Sequence, residues 1–594
     1  MTYKSRSIQL KLVSLVTLLC LQTSAAFAQL PPIFDKERAQ QAQSVETVTR
    51  YLSPVKILWQ TPEATKQIHN ASRLLKPGNG QADLANQDMC VLKSDDKVKP
   101  GLLFDFGKEL HGGLQIVTGM YPGNKPVKLR IRFGESASEA MSDIEPTQNA
   151  TNDHAMRDMI VEVPWLGKYE VGNTGFRFVR IDMMDANVEL QLKEVRASFV
   201  FRDIPYLGSF KCDDELLNQI WMTGAYTVHL NMQDYLWDGI KRDRLVWVGD
   251  MHPETSSISH IFGYNEVVPK SLDLVRDITP IPGWMNGIST YSMWWIIIHR
   301  DWYYHNGDLK YLQQQKDYLT RLLDYLMTKI GDDNKENLDG TRFLDWPSSE
   351  NKIGVDAGLQ AMMIWALTAG GDLSKILKDP VTAKKCADAV ARLKKYVPDH
   401  NNSKQGAALM ALNGLMTPEK ANKEVLSVGG ARNFSTFYGY YMLQAKAQAG
   451  DYKGAMDAIR EYWGSMLKLG ATSFWEDFNL DWLPNASRID ELPRPGQKDI
   501  HGDYGAYCYV GFRHSLAHGW ASGPTPWLSE HVLGFKVIEP GCKVVKISPN
   551  LGDLKFAEGT FPTPYGVIKV KHVKDANGKV TSTINAPKEV KIIR

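Results

Sequence analysis

Asp213-Asp214-Glu215-Leu216-Leu217-Asn218-Gln219-Ile220-Trp221 marks the point where the chain changes period. Acids crowd the first positions, and apolar residues then recur at 216, 217, 220 and 221, the spacing of a helix with one buried face. Asp213 is the predicted N-cap, its carboxylate meeting the unpaired amides of the first turn. Upstream, from about Leu52 to Phe201, the patterned runs have period two. Val127-Lys128-Leu129-Arg130-Ile131-Arg132-Phe133 alternates apolar with basic residues, and Phe176-Arg177-Phe178-Val179-Arg180-Ile181 does the same. Turns such as Tyr121-Pro122-Gly123-Asn124 separate such runs, so a β-sandwich is expected over 52–206. The Ser-, Asn- and Asp-rich loop 135–154 either leans over a neighbouring site or is solvated, and the second reading is favoured.

Downstream, helical patterns recur to about Val532, clearest at 287–305, 308–330, 358–368, 381–396, 432–449 and 451–467. About a dozen such segments in pairs predict an (α/α)6 toroid over 207–533, with connecting loops lining a central cleft. An open helical solenoid would show a sequence repeat, and none is visible. Period two returns in Lys543-Val544-Val545-Lys546-Ile547 and Gly566-Val567-Ile568-Lys569-Val570, with a hairpin turn at Asp575-Ala576-Asn577-Gly578. A small β-sandwich is expected over 534–594. The fold class is therefore multidomain and mainly α, a toroid flanked by two β-domains.

The N-terminus reads as a secretory signal over 1–28. Lys4, Arg6 and Lys11 precede an apolar run from Leu12 to Leu21, and Ala25-Ala26-Phe27-Ala28 offers a cleavage site. The mature chain is expected to be exported, to the periplasm or beyond the cell, without a membrane span. Its formal charge of +2 gives no reason to expect nucleic acid as partner. The five cysteines after Cys20 are scattered and lack C-x-x-C spacing, which indicates neither a disulfide framework nor zinc. H-E-x-x-H, Walker, G-x-G-x-x-G and G-x-S-x-G patterns are missing, so no metal and no cofactor are expected. Of 16 Trp, 14 lie between Trp221 and Trp527, which fits either a large helical core or a carbohydrate cleft.

Within the helical region, Trp237-Asp238-Gly239-Ile240-Lys241-Arg242-Asp243-Arg244-Leu245-Val246-Trp247-Val248-Gly249-Asp250 fits neither period. It sets three carboxylates among three cations, two Trp and two Gly. Such a loop suits a sugar site, where aromatic faces pack on pyranose rings and carboxylates bond hydroxyls and move protons. A buried ion-pair network closing a helix end explains the same composition.

From Asp238 to Asp250 the loop resembles the signature of α-L-rhamnosidases of glycoside hydrolase family 78. Gly470-Ala471-Thr472-Ser473-Phe474-Trp475-Glu476, Ser515-Leu516-Ala517-His518-Gly519-Trp520, Glu539-Pro540-Gly541-Cys542-Lys543-Val544-Val545 and Phe176-Arg177-Phe178-Val179-Arg180 resemble further segments of that family, so the likeness spans nearly the whole mature chain. The resemblance implies an inverting glycosidase acting on an oligosaccharide or polysaccharide, with Asp243 as general acid and Glu476 as general base. It implies sugar-binding roles for Asp238, Arg242, Trp247, Asp250 and His518. Trp346, on a loop with Asp345, and Trp295, beside Trp294 on an apolar helix, are further candidates for the cleft. The chain departs from the family in having Asp243 where Glu is usual, Val246 for Gly and Gly239-Ile240 for Cys-Pro. The shorter acid leaves three readings: a closer backbone, proton donation by another group such as Glu254, or a glycan-binding protein without catalysis. Another glycosidase specificity or a polysaccharide lyase on the same toroid is the alternative chemistry.

Overall fold

The computed structural model describes residues 47–85, 87–144 and 157–594. The signal-peptide expectation, and residues 145–154 of the loop expected to be solvated, lie outside these. The N-terminal domain is one antiparallel sheet built from β1 (Thr47–Leu52), β2 (Lys56–Gln60), β3 (Ile68–His69), β4 (Cys90–Lys93), β5 (Gly101–Thr118), β6 (Val127–Gly134), β7 (Asp158–Val163), β8 (Lys168–Met183) and β9 (Glu189–Arg202). Its order is β3-β4-β9-β5-β8-β6-β7, with β1 on β9 and β2 on β5, so the expected sandwich is a single hydrogen-bonded sheet. Register shifts between Asp105 and Leu110 and between Gly112 and Leu114 let the long β5 change direction while staying paired with β8.

The next strand, Ser209–Cys212, pairs with Phe556–Thr563 far along the chain. Asp214, not Asp213, caps the helix Glu215–Asn231, accepting from the amides of Leu216 and Leu217. Asp213 instead accepts from Lys555 N at 2.9 Å, because a tertiary contact claims it first. Helices then follow in pairs through Pro524–Trp527 around one continuous apolar core. The segment expected at 358–368 is the 25-residue helix Lys352–Ile376. It packs on several helices at once and is buried nearly all round, which erases the amphipathic signal that marks a helix end. It is also long and apolar enough to cross a membrane, but 78% of its apolar window is buried inside the toroid. The helix expected over 432–449 begins only at Gly439, since Asn433 is left-handed at φ 61° and Ser435 turns its hydroxyl to Asp345.

The C-terminal domain pairs a four-stranded sheet, including Ser209–Cys212, with a three-stranded one. The N-terminal sheet's apolar core takes in Tyr226, Leu230, Ile240 and Ala517 from the toroid. Two of the sequence segments that carried the family likeness also meet here. Arg177 forks onto Asp105 at 2.8 and 3.0 Å and donates to Gly470 O at 3.0 Å.

Candidate active site

The charged loop connects Glu215–Asn231 to Met251–Ile261, and the β-domain fixes its path. Ile240 is buried in the sheet's core, and Gly175 of β8 lies so close that a Cβ there would sit 2.7 Å from Lys241 N. Lys241 Nζ meets four acceptors: Glu135 at 3.0 Å, Glu139 at 3.2 Å, Phe512 O at 2.9 Å and His514 O at 2.8 Å. Glu135 and Glu139 are fully buried, so the part of the 135–154 loop that carries them is core, not solvated. The reason is charge: a buried ammonium needs carboxylates beside it. With His501 these carboxylates bring ligand atoms close enough to hold a metal ion, but the ammonium of Lys241 already engages both.

Beyond Lys241 the Arg242–Asp243 peptide is cis and Arg244 has φ 62°. Asp238 closes the loop, its two oxygens accepting from Asp243 N and Leu245 N, both at 3.0 Å. Burial, with Asp250 and Asp243 adding to it, pushes the Asp238 carboxyl up to about 7, against the pull of His518. Arg242 donates to Arg513 O, to Asp243 Oδ1 at 2.9 Å and to Glu476 Oε2 at 3.1 Å. One guanidinium thus faces both carboxylates that the family pattern singles out.

Glu476 is fixed from the other side. Its Oε2 accepts from Ser515 N at 3.1 Å, and its carbonyl accepts from Thr436 at 2.6 Å and Trp520 at 2.8 Å. His518 Nε2 lies 3.0 Å from Asp250 Oδ2, and its Nδ1 lies 3.8 Å from Glu476 Oε1. Burial alone would lower the pKa of His518. Glu476 and the bond to Asp250 overcome it and raise the imidazole to about 9, so His518 is a cation between two carboxylates at neutral pH. Asp250 also accepts from the Tyr291 hydroxyl at 3.1 Å.

These groups surround a cavity of about 220 Å³. That is below the ~300–1,000 Å³ of sites for drug-sized ligands and suits one monosaccharide. Asp238, Arg242, Asp243, Trp247, Asp250, Trp346, Glu476 and His518 all line it. Trp346 packs against Phe343 at 5.1 Å, and Trp247 meets the edge of Tyr291 at 6.1 Å, so the aromatic walls are braced.

Trp295 is the exception: expected in the cleft, it lies outside the cavity lining. It is fully buried, donates to Leu272 O, and packs on His299 and Tyr318 in the toroid core. The helix Ser289–Asn306 starts at the cavity, so Tyr291 in its first turn reaches the site while Trp295 lies roughly 6 Å further along the axis. Trp294 is equally buried. Asp345 does not line the cavity either; its carboxylate accepts from Ser348, Gln405 and Ser435 and braces loops. Glu254 lies one turn below Asp250, fully buried and outside the cavity, its side chain against Gly519. Burial first, then Asp250 and Asp238, hold its carboxyl well above the usual range.

Tyr291, Phe343, Cys508 and Tyr509 line the site without having been foreseen. Tyr291 sits in the first turn of a helix whose pattern is plain in the sequence, and its closeness to the helix start is the signal that marks it. Residues 508 and 509 lie on an irregular stretch with no pattern to read.

A model of the bacterial alpha-L-rhamnosidase six-hairpin glycosidase domain matches residues 205–532, and one of the bacterial alpha-L-rhamnosidase C-terminal domain matches 534–593. An alpha-L-rhamnosidase of Alteromonas sp. (strain LOR) is 24% identical over 531 residues, 81% of this chain and 54% of that protein. The chain thus spans about half the length of this relative. Among solved structures, the GH78 rhamnosidase of Bacillus sp. GL1 superposes with a TM-score of 0.70 at 22% identity, over 88% of this chain and 55% of that one. The rhamnose-bound rhamnosidase of Klebsiella oxytoca gives 0.62 at 18% identity, over 83% of this chain and 97% of that one. The six-hairpin match covers more than half of the sequence and contains every cavity residue described above, and on that ground the chain belongs to the bacterial α-L-rhamnosidase family of glycoside hydrolases.

Proposed function

We propose that the protein is an exported, exo-acting α-L-rhamnosidase that releases a terminal rhamnose from a glycan with inversion. Asp243 passes a proton to the departing glycosidic oxygen as its bond to the anomeric carbon breaks. Glu476 takes a proton from the water whose oxygen forms the new bond. The observation that carries this reading is Arg242, whose two terminal nitrogens reach Asp243 and Glu476 at the wall of a monosaccharide-sized cavity. One guanidinium fork holds the two bound oxygens within roughly 8 Å, compatible with the ~6.5–9.5 Å that admits a water in inverting enzymes. Asp243 is a better-placed donor than Asp238, because its side chain is 20% exposed while both Asp238 oxygens are held by backbone amides. The relatives' activity supports the sugar, and the basic, apolar, small-residue order of residues 1–28 supports export.

Proton NMR of the mature protein with an aryl α-L-rhamnoside tests the reaction, with β-rhamnose expected before mutarotation. Glu476→Gln should lower turnover by ~10²–10⁴ without loss of helical circular dichroism. Wild-type rates in that variant would remove Glu476 from the mechanism, and α-rhamnose appearing first would remove inversion. Export is checked by the N-terminus of the secreted chain, expected at Gln29. One observation favours a binding-only protein instead: Asp243 spends an oxygen in an ion pair with Arg242. Calorimetric sugar binding with no product after long incubation would select that reading.

A further inference from the structure

A second cavity of about 480 Å³ opens beside the first. Three pairs of consecutive residues, Trp346 and Pro347, Glu476 and Asp477, and Tyr507 and Cys508, each put one member in the wall of either cavity. The two spaces therefore share a wall, and at its exposed side Tyr507 of the second cavity stacks on Trp346 of the first at 6.4 Å.

The lining chemistry of the larger space is that of a hydroxyl-rich, uncharged ligand. Trp482 is half-buried there, stacked on Tyr504 at 5.7 Å with Phe478 edge-on at 6.1 Å. Such a braced ring offers an apolar surface to a pyranose face at little entropic cost. Asn402 and Asn433 are exposed at its rim, both held left-handed at φ 57° and 61°, and their side-chain amides bond nothing else among the described residues. Asp477 lies in the wall, 6% exposed, with Oδ1 accepting from Phe478 N and Oδ2 bonded to nothing else among the described residues. Burial, with Asp345 and Glu476 nearby, raises that carboxyl to about 7, so near neutrality it both donates and accepts. The cation in the lining, Lys404, is buried and donates to Gly430 O and Arg432 O, both at 2.8 Å. Glu424 adds a second carboxylate, 3.9 Å from Lys420 outside the lining. Two carboxylates against one buried ammonium leave the lining with more acid than base, which favours an uncharged sugar over an anionic one.

We propose that this cavity is a second sugar subsite, taking a neutral pyranose of the same glycan whose terminal residue fills the first cavity. The inference rests on the glycosidase reading above and adds a substrate class to it: a neutral oligosaccharide, not an aryl glycoside or an acidic polysaccharide. The terminal sugar alone then realises only part of the available binding energy, and the remainder comes from a residue that does not react.

Asn433→Ala and Trp482→Ala are compared with wild type on p-nitrophenyl α-L-rhamnoside and on neutral rhamnosyl di- and trisaccharides with (1→2), (1→3), (1→4) and (1→6) linkages. Expected is a tenfold or larger fall in kcat/KM on the preferred oligosaccharide, with the aryl glycoside within twofold of wild type. A galacturonic acid next to the rhamnose should make a poorer substrate for the wild type. Equal losses on both substrate types, or none on any oligosaccharide, overturn the subsite. If the wild type cleaves none of these compounds, calorimetry with the same oligosaccharides separates the two claims. Binding that weakens tenfold in Asn433→Ala keeps the subsite and removes the rhamnosidase reading, whereas binding unaffected by both substitutions removes the subsite.

Discussion

His518 is buried between Asp250 and Glu476 at the cavity wall, and its raised pKa has a thermodynamic consequence. An unfolded His titrates near 6.5, so a folded value of about 9 makes the native state the better proton binder. The stabilisation, on the order of 3 kcal/mol, is complete below about pH 6.5 and is lost as pH rises through about 9. Asp238 acts in the same direction at lower pH, since a carboxyl raised to about 7 favours the native state below about pH 4 and disfavours it increasingly up to about 7. Melting temperatures should therefore fall between pH 6.5 and 10, and His518→Gln should flatten that fall; an equal decline in the variant would show that His518 is not the titrating group. The charged lining of the cavity was legible where chemistry dictates residue type, as at Asp243, Glu476 and His518. Trp295 was misplaced because an indole on an apolar helix reads the same from either end, and only its depth along the axis decides between core and cleft.

The loop from Trp237 to Asp250 is an element without regular structure, and ionic anchors hold it in place of a hydrogen-bonded ladder. Lys241 is the chief anchor, and Glu135 also accepts from Leu516 N at 2.6 Å, so one buried carboxylate ties the acid-bearing loop to the segment that carries His518. Lys241→Met should cost roughly 3–5 kcal/mol, because it strands Glu135 and Glu139 in the core. Turnover should fall further than the folded fraction explains, since Arg242 and Asp243 follow Lys241 directly. Activity per folded molecule equal to wild type would show that the anchor serves stability alone. Seven helices of the toroid were legible, whereas Met251–Ile261, Val267–Asp277 and Lys404–Leu412 were not singled out, and helix ends were not legible. Asp213 and Asp214 are equivalent caps in sequence, and only the amide of Lys555, more than 300 residues away, distinguishes them.

At the scale of the molecule, the β–toroid–β order followed from changes of period alone. The dependence of the toroid on its neighbours did not, because those contacts join residues hundreds of positions apart. Ile240 and Ala517 complete the N-terminal sheet's core, and Glu135 and Glu139 reach from that domain to Lys241. A fragment of residues 207–594 should therefore aggregate or bind no sugar, despite containing every cavity residue. Soluble, active fragment in gel filtration and aryl-glycoside assays would refute this. The strand Ser209–Cys212 carries a different consequence, which concerns time. It is synthesised before the first toroid helix, yet its partner Phe556–Thr563 follows roughly 340 residues later. At ~5–20 residues per second, translation leaves that edge unpaired for about 17–70 s. For that time the strand leading into the first toroid helix has no partner, and the last sheet is complete only when it receives a strand made long before it.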